Sequence, residues 1–442
     1  MGFVKEFIGK YVKGNEMFSR FVKVFSVDVL VRGANLLLIP VFLYLMSRQE
    51  FGIYNYLYSF AMTAAGILNF GFYVSLTKLY ADTNESKRKQ SSMMFTLSTS
   101  MVFLLAVSMI VIYLTKFDIS FFNYSMKNNL DDINTAIYLN YRVFVFVAII
   151  SMVFTNYLTF FFISSDNIPN LQKFNILRLI LSNGTAILVL YYSSSDTVML
   201  RLAITYVAEL LLTIAFGSLI VKRFIPVFDF YYLKKAFKIG SPLMVAAIMA
   251  TMINFGDKFF VMKYAGVSDF ADYSLAIILA TIVLIVFQSF NFVWLPMFLK
   301  EKDMLVLKRK TRRYTILMFF ALMGIGLMIF IGVWVALRFK IIPSVYSSDI
   351  LVVLPVLIVS QVFAALIGLY VNYMTYFEKT YIQVFVGGII SIIGYFLFDY
   401  LTGAYLGLGA ALALLILNIL AFIFYYTRTQ YYINNRLRDK IS

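Results

Sequence analysis

The sequence predicts an all-α protein that crosses a membrane about twelve times, and three observations carry that fold class. First, 62% of the 442 residues are apolar and 14% charged, where soluble domains run near a half and a quarter; the mean hydropathy is +0.84. Second, the apolar runs are about 20 residues long and lack period-2 alternation, so they read as membrane helices and not as strands. Third, the Lys and Arg residues behind the net charge of +16 fall in short loops between those runs. Such a distribution sets membrane orientation, and no nucleic-acid partner is expected.

Taken in order, residues 1–21 place Phe3, Phe7 and Tyr11, with Val4, Ile8 and Val12, at helical spacing, broken by Lys5, Lys10 and Lys13. This reads as an amphipathic segment on the cytoplasmic leaflet, with a frayed basic tail as the alternative. Spans are then expected at 22–46, 53–76, 92–115, 138–163, 172–192, 198–221, 240–264, 271–297, 314–337, 350–374, 381–400 and 405–427. An even number puts both termini on one side. Of the 38 Lys and Arg, 27 lie on that side, 8 on the other and 3 within spans, so both termini should be cytoplasmic. No secretory signal is expected, because the first apolar run is long and lacks a small-residue cleavage site.

The two halves carry a matching segment. Glu50-Phe51-Gly52-Ile53-Tyr54-Asn55 follows the first span, and Asp269-Phe270-Ala271-Asp272-Tyr273-Ser274 follows the seventh, 219 residues later. Six spans per half is even, so the repeat would be parallel, about an axis along the membrane normal. This divides the chain into an N-lobe (22–221), a basic inter-lobe linker (222–239), a C-lobe (240–427) and a basic tail (428–442), with a cavity expected between the lobes.

The most informative stretch is Gly240 to Lys300. Gly240-Ser241-Pro242 is expected to open a long apolar helix carrying Asn254, Asp257 and Lys258. The turn AGVSDFADYS leads to a second helix, expected to end at Trp294-Leu295-Pro296. Small-Pro-Leu at the helix start, Asp-Lys near its end, G-x-x-x-F-small-x-Y-S and a late Pro resemble the seventh and eighth helices of the Wzx-type polysaccharide and O-antigen flippases, of the MATE-like MOP superfamily. The sequence departs from that pattern at Ala271 and Lys258, where the family more often has Gly and Arg. The resemblance implies a MATE-like pair of six-helix lobes and alternating access. It also implies a polyprenyl-diphosphate oligosaccharide as substrate and a place in the bacterial plasma (inner) membrane. A polysaccharide polymerase and chain-length machinery are the protein partners it would suggest, beside membrane lipids.

Charges inside a span are expensive and are kept mainly for function. The first span carries Asp28, Arg32 and Asn35 on one helical face. Arg32 is read as a cavity cation held by Asp28; an ion pair satisfying itself on one helix is the alternative. The fifth span carries Asn175, Arg178 and Ser182, with snorkelling to headgroups as the alternative for Arg178. The sixth carries Arg201, Thr205 and Glu209, and Glu209 is expected to pair with an Arg of another helix or to titrate. Asp257 and Lys258 project about 100° apart on a helix, so Lys258 is assigned to the cavity and Asp257 to the lobe interior. Arg32, Arg178 and Lys258 are thus the candidate diphosphate ligands. Asp28, Glu209 and Asp257 are the supporting or ion-coupling carboxylates. Asn35, Asn69, Asn254, Gln288 and Asn291 are candidate glycan contacts.

The sequence contains no Cys and no His, which removes thiol chemistry and the commonest general base and metal ligand. No enzyme activity, metal or cofactor is expected. The alternatives to an oligosaccharide flippase are a MATE-type cation or drug antiporter and, more remotely, a membrane-embedded polysaccharide polymerase or a precursor flippase of the peptidoglycan type, which usually has two more helices.

Overall fold

The computed structural model describes residues 33–438, apart from short interruptions at 35, 84–85, 127–135, 194, 223, 302, 344, 347–348, 378 and 380. The expected amphipathic segment and the first span up to residue 32, with residue 35, lie outside the described residues. Every described element is helical. Among the described residues eight helices are long and apolar enough to cross a membrane, or nine if one bent pair is a single span. The protein is therefore a multi-pass membrane protein. Two of these elements, of 62 and 56 residues, are far longer than the about 20 residues one crossing needs.

The chain runs through α1 (Ile39–Leu45), α2 (Arg48–Leu68), α3 (Phe72–Asp82), α4 (Lys87–Thr115), α5 (Phe117–Met126), α6 (Ala136–Ser164) and α7 (Ile168–Arg178). A π-helical turn (Leu179–Gly184) leads into α8 (Thr185–Tyr192). There follow α9 (Thr197–Val221), α10 (Phe230–Ala280), α11 (Ile282–Lys300), α12 (Met304–Arg338), α13 (Asp349–Tyr376) and α14 (Tyr381–Arg438).

Local chemistry sets several of these ends. A reciprocal capping box starts α2: the Ser47 amide donates to the Glu50 carboxylate at 2.7 Å, and the Glu50 amide to the Ser47 hydroxyl at 3.3 Å. Asp196 and Asp303 cap α9 and α12 through the amides of Met199 and Leu305. Three expected breaks differ. Gly240-Ser241-Pro242 does not open a helix, because α10 begins at Phe230 and runs through it. Pro296 does not end one, because α11 continues to Lys300. Inside lipid an interrupted backbone has no water to satisfy it, so a helix tends to persist through proline. The turn expected at AGVSDFADYS shrinks to one residue, Gly266, at φ 84°. A similar one-residue break occurs at Leu406, φ 52°, within α14.

The chain divides into two compact units. One comprises Leu68–Ser108 and Phe146–Ser241, with the end of the first span. The other comprises Met46–Ile67, Met109–Val145 and everything from Pro242 onward. The first unit opens at the break that joins the end of α2 to α3. It is held by Asn69, whose side-chain oxygen accepts the Gly71 amide at 2.8 Å. Gly71 sits at φ 69° and ψ 11°, and a Cβ there would meet the Gly240 carbonyl oxygen at 2.5 Å. Gly71→Ala is expected to cost about 2 kcal/mol or more, from the left-handed backbone and the backbone clash together. A thermal melt in detergent should show a midpoint several degrees lower; an unchanged midpoint would mean the helix pair has slack here.

In the second unit α13 is the central helix, with Leu354, Leu357, Leu366 and Leu369 buried, and it packs against α11, α12 and α14. Its polar residues fasten helices together. The Asn418 side chain donates to the Ser360 hydroxyl at 2.9 Å, and Tyr373 and Thr311 share a hydrogen bond of 2.9 Å.

Candidate functional site

Two sets of intramembrane charges are described, one in each unit. In the first unit Arg178 closes α7, and the chain passes from it straight into the π turn Leu179–Gly184. The span starts at Ile168 and runs 25 residues. Arg178 therefore lies nearer its middle than the sequence suggested. A π turn inserts one residue and frees carbonyls from the α ladder; such insertions recur at functional sites. The carbonyls of Arg178 and Leu181 accept the hydroxyls of Ser182 and Thr185. Ser182-Asn183-Gly184 are weak helix formers, the one sequence signal for the distortion.

Across from Arg178, Glu209 sits midway along α9. Its Oε1 lies 3.7 Å from the Arg178 Nε. The pairing of Glu209 with an Arg of another helix is as expected. No other hydrogen bond or ion pair of Arg178 occurs among the described residues, so the two terminal guanidinium nitrogens are uncommitted. Around the pair the scaffold is stiff: Thr213 donates to the Glu209 carbonyl at 2.7 Å and shares 3.1 Å with Thr155 of α6. Arg201 stacks on the ring of Phe42, 3.6 Å from its centroid.

In the second unit Asp257 is 1% exposed and receives the Tyr273 hydroxyl at 2.9 Å. Lys258 does not turn away from it. The lysine stem folds back, so that its Nζ lies 3.1 Å from Asp257 Oδ1 and 3.0 Å from the Asn254 carbonyl. The long flexible side chain overrides the 100° between adjacent Cβ directions. Asn254 is exposed on the helix surface, as is Gln288. Asn291 instead accepts from Asn372 at 3.0 Å, joining α11 to α13, and Asn69 is taken up in the α2–α3 bend. Asp28, Arg32 and Asn35 lie outside the described residues.

Sequence reasoning missed three charge clusters, all in the second unit. Arg48 forks onto Asp272, with Nη2 to Oδ2 at 2.7 Å and Nε to Oδ1 at 3.3 Å, and reaches Asp269 at 3.5 Å. Beside it, a Cβ on Gly52 would stand 2.6 Å from the Val267 carbonyl oxygen and 3.2 Å from the Ala271 Cβ. Gly52 and Ala271 are the equivalent small positions of the two matching segments, so the two segments touch at corresponding residues. A cavity next to them is lined by Asp269, Asp272, Tyr273, Asp349 and Tyr405; it is acidic, not cationic. The second cluster is Asp118 of α5, fully buried, which takes Arg142 through two bonds of 2.7 and 3.0 Å and the Tyr138 hydroxyl at 2.7 Å. Asp118→Ala would strand the Arg142 charge, with an expected loss of about 3–5 kcal/mol. A fall in thermal midpoint should report it, and a midpoint within a degree of wild type would refute a structural role. In the third, Lys263 and Tyr264 converge on Asp399 at 3.2 and 2.5 Å.

Residues 21–302 match the family described as polysaccharide biosynthesis protein, which is more than half of the chain. The chain belongs to that family. Among solved structures it resembles an inward-facing multidrug resistance MATE transporter of the MOP superfamily, at TM-score 0.69 and 14% identity over 92% of this chain and 98% of the other. It also resembles the lipid II flippase MurJ in an inward closed conformation, at TM-score 0.64 and 16% identity over 92% and 87%. A third is a MOP superfamily transporter from Pyrococcus furiosus described by the reverse polarity of its binding pocket, at TM-score 0.54 and 14% identity over 94% of each chain. No curated protein sequence matches. These likenesses give the family member the fold that those structures share, and they are transporters and flippases, not enzymes.

Proposed function

We propose that this family member is a flippase that carries a polyprenyl-diphosphate-linked oligosaccharide from the cytoplasmic to the outer leaflet for surface polysaccharide assembly. The observation that carries the reading is Arg178: a guanidinium near mid-span, held by one loose ion pair, with its terminal nitrogens uncommitted. A planar fork of that kind matches phosphate oxygens through two parallel hydrogen bonds. Arg32 is proposed as a second phosphate ligand. Lys258, committed to Asp257, is proposed to bind substrate only if that pair opens. Exposed Asn254 and Gln288 suit glycan hydroxyls.

Movement would follow alternating access between two six-helix lobes, 22–221 and 240–427, in a twelve-span chain with both termini cytoplasmic. Contact between Gly52 and Ala271 supports the repeat, since a two-fold axis brings equivalent residues together. The membrane potential supplies a driving force. An anion of about two charges leaving a negative interior gains on the order of 4–5 kcal/mol at 100 mV.

The test uses a strain that lacks the gene and keeps the glycan assembly enzymes. Cytoplasm-facing polyprenyl-linked intermediate should accumulate, and the wild-type gene should clear it. Equal clearance with and without the gene would sink the flippase reading. A second reading, a cation antiporter, is favoured only by the acidic cavity, where Arg48 already neutralises Asp272; drug-efflux assays in the same strain address it.

A further inference from the structure

α12 is the most exposed of the long apolar helices, with 17% of its apolar window buried. Ile316, Phe320, Leu327, Ile331 and Trp334 are all about half exposed or more, and their spacing of 4, 7, 4 and 3 keeps them on one stripe of the helix. In a multi-pass membrane protein such a stripe meets acyl chains. Continued towards the start of the helix, the same stripe reaches Arg313 and Arg309. The opposite side carries Met304, Leu307 and Thr311, all buried. From Arg313 to Trp334 the helix rises about 32 Å, which matches the about 30 Å thickness of a hydrocarbon core. Arg309 and Arg313 therefore stand at headgroup level on a lipid-facing stripe, with Trp334 at the other interface.

The charge there is not balanced within the protein. Five cations fall between residues 308 and 313. Lys310 pairs with Glu301 at 2.7 Å, and that bond holds the Glu301 carboxyl below its ordinary range. Among the described residues Lys308, Arg309, Arg312 and Arg313 have no carboxylate partner. Lys308 bonds the Asn434 side chain at 3.4 Å, which ties this end of α12 to the last turns of α14, where Tyr431 is exposed. Arg309, Arg312 and Arg313 are exposed, and with Lys308 they spread over an arc of about 140°.

We propose that Arg309, Arg312 and Arg313, with Lys308, form a docking surface for anionic phospholipid headgroups of the leaflet at the amino end of α12. Phosphate is the counterion that depth offers, and the guanidinium fork fits it. Bulk phospholipid is favoured over a single diphosphate substrate because the cations face outward over an arc that one headgroup does not span. The inference rests on membrane insertion alone and holds whatever solute is moved.

The experiment places the full-length protein in nanodiscs of phosphatidylcholine with 0–30% phosphatidylglycerol and counts retained phosphatidylglycerol by native mass spectrometry. Each surface cation is worth about a fivefold change, so Arg309→Gln with Arg313→Gln should weaken retention about thirtyfold. Arg309→Lys with Arg313→Lys should keep most of it, and Arg338→Gln at the far end of α12 should change nothing. Equal retention in the wild type and the Gln pair overturns the proposal. So does displacement of the bound phosphatidylglycerol by one equivalent of polyprenyl diphosphate, which would mark a substrate landing site. Should the Gln pair fail to fold, wild type decides: retention must fall as salt rises, and salt-insensitive retention overturns the proposal.

Discussion

Arg178→Ala should lower clearance of the lipid-linked intermediate about 10- to 150-fold, the loss of a charge-assisted contact worth about 1.5–3 kcal/mol. That variant alone is ambiguous, because it also leaves the Glu209 carboxylate in the membrane without its partner, at about 3–5 kcal/mol. Two further variants separate binding from folding. Arg178→Lys keeps the charge beside Glu209, so the protein should remain stable, yet a lysine lacks the planar fork and transport should stay depressed. Arg178→Ala with Glu209→Gln removes the stranded charge and should recover much of the thermal stability without recovering transport. If the double variant clears the intermediate like wild type, Arg178 is a structural partner of Glu209 and nothing more. The π turn gives the comparison a control. Gly184→Ala follows the same bend but touches nothing within 4 Å, so it should leave transport within about twofold if the guanidinium, and not the bend, carries recognition.

The helical membrane class and the pairing of Glu209 with an Arg of another helix were legible in the sequence, for one reason: lipid makes every uncovered polar group costly, so long apolar runs read as spans and a charge among them needs a partner. The helix ends were less legible. Gly240-Ser241-Pro242 and Pro296 read as breaks by rules learned in water, where a freed carbonyl finds solvent; here the helices run on. The Lys258–Asp257 pair was missed because Cβ directions were followed and the reach of four methylenes was not. Arg48 was counted as a loop cation, although its partners Asp269 and Asp272 stood in a stretch already singled out. What hid the fork is sequence distance: 224 residues separate Arg48 from Asp272, and only the fold brings α2 onto the Gly266 break. A π turn leaves no periodic trace, so Leu179–Gly184 could be read only from its weak helix formers.

Gly52→Val is the second substitution with a large expected effect. The nearest obstacle to any side chain there is the Val267 backbone carbonyl, at 2.6 Å, with Ala271 behind it. Backbone cannot swing aside as a flexible side chain would, so the start of α2 must lift away from α10. The Arg48 fork spans the same contact, and lifting α2 strips Asp272, 5% exposed, of its charge partner. Overpacking of this kind costs about 1–3 kcal/mol, enough to move a conformational equilibrium by about 5- to 150-fold. Under alternating access this contact between the two matching segments is one that must part when the far side opens, and Gly52→Val should bias the protein towards that opening. The absence of native cysteine makes the measurement direct. A thiol introduced at Val267, a fully buried position, should react slowly with a membrane-impermeant maleimide in an otherwise wild-type chain and at least tenfold faster beside Gly52→Val. Arg48→Ala should accelerate labelling in the same direction, because it weakens the same contact by a different physical route. If the thiol stays shielded in both variants while transport continues normally, the contact is a fixed part of the second unit, and the moving surfaces must be sought away from α2 and α10.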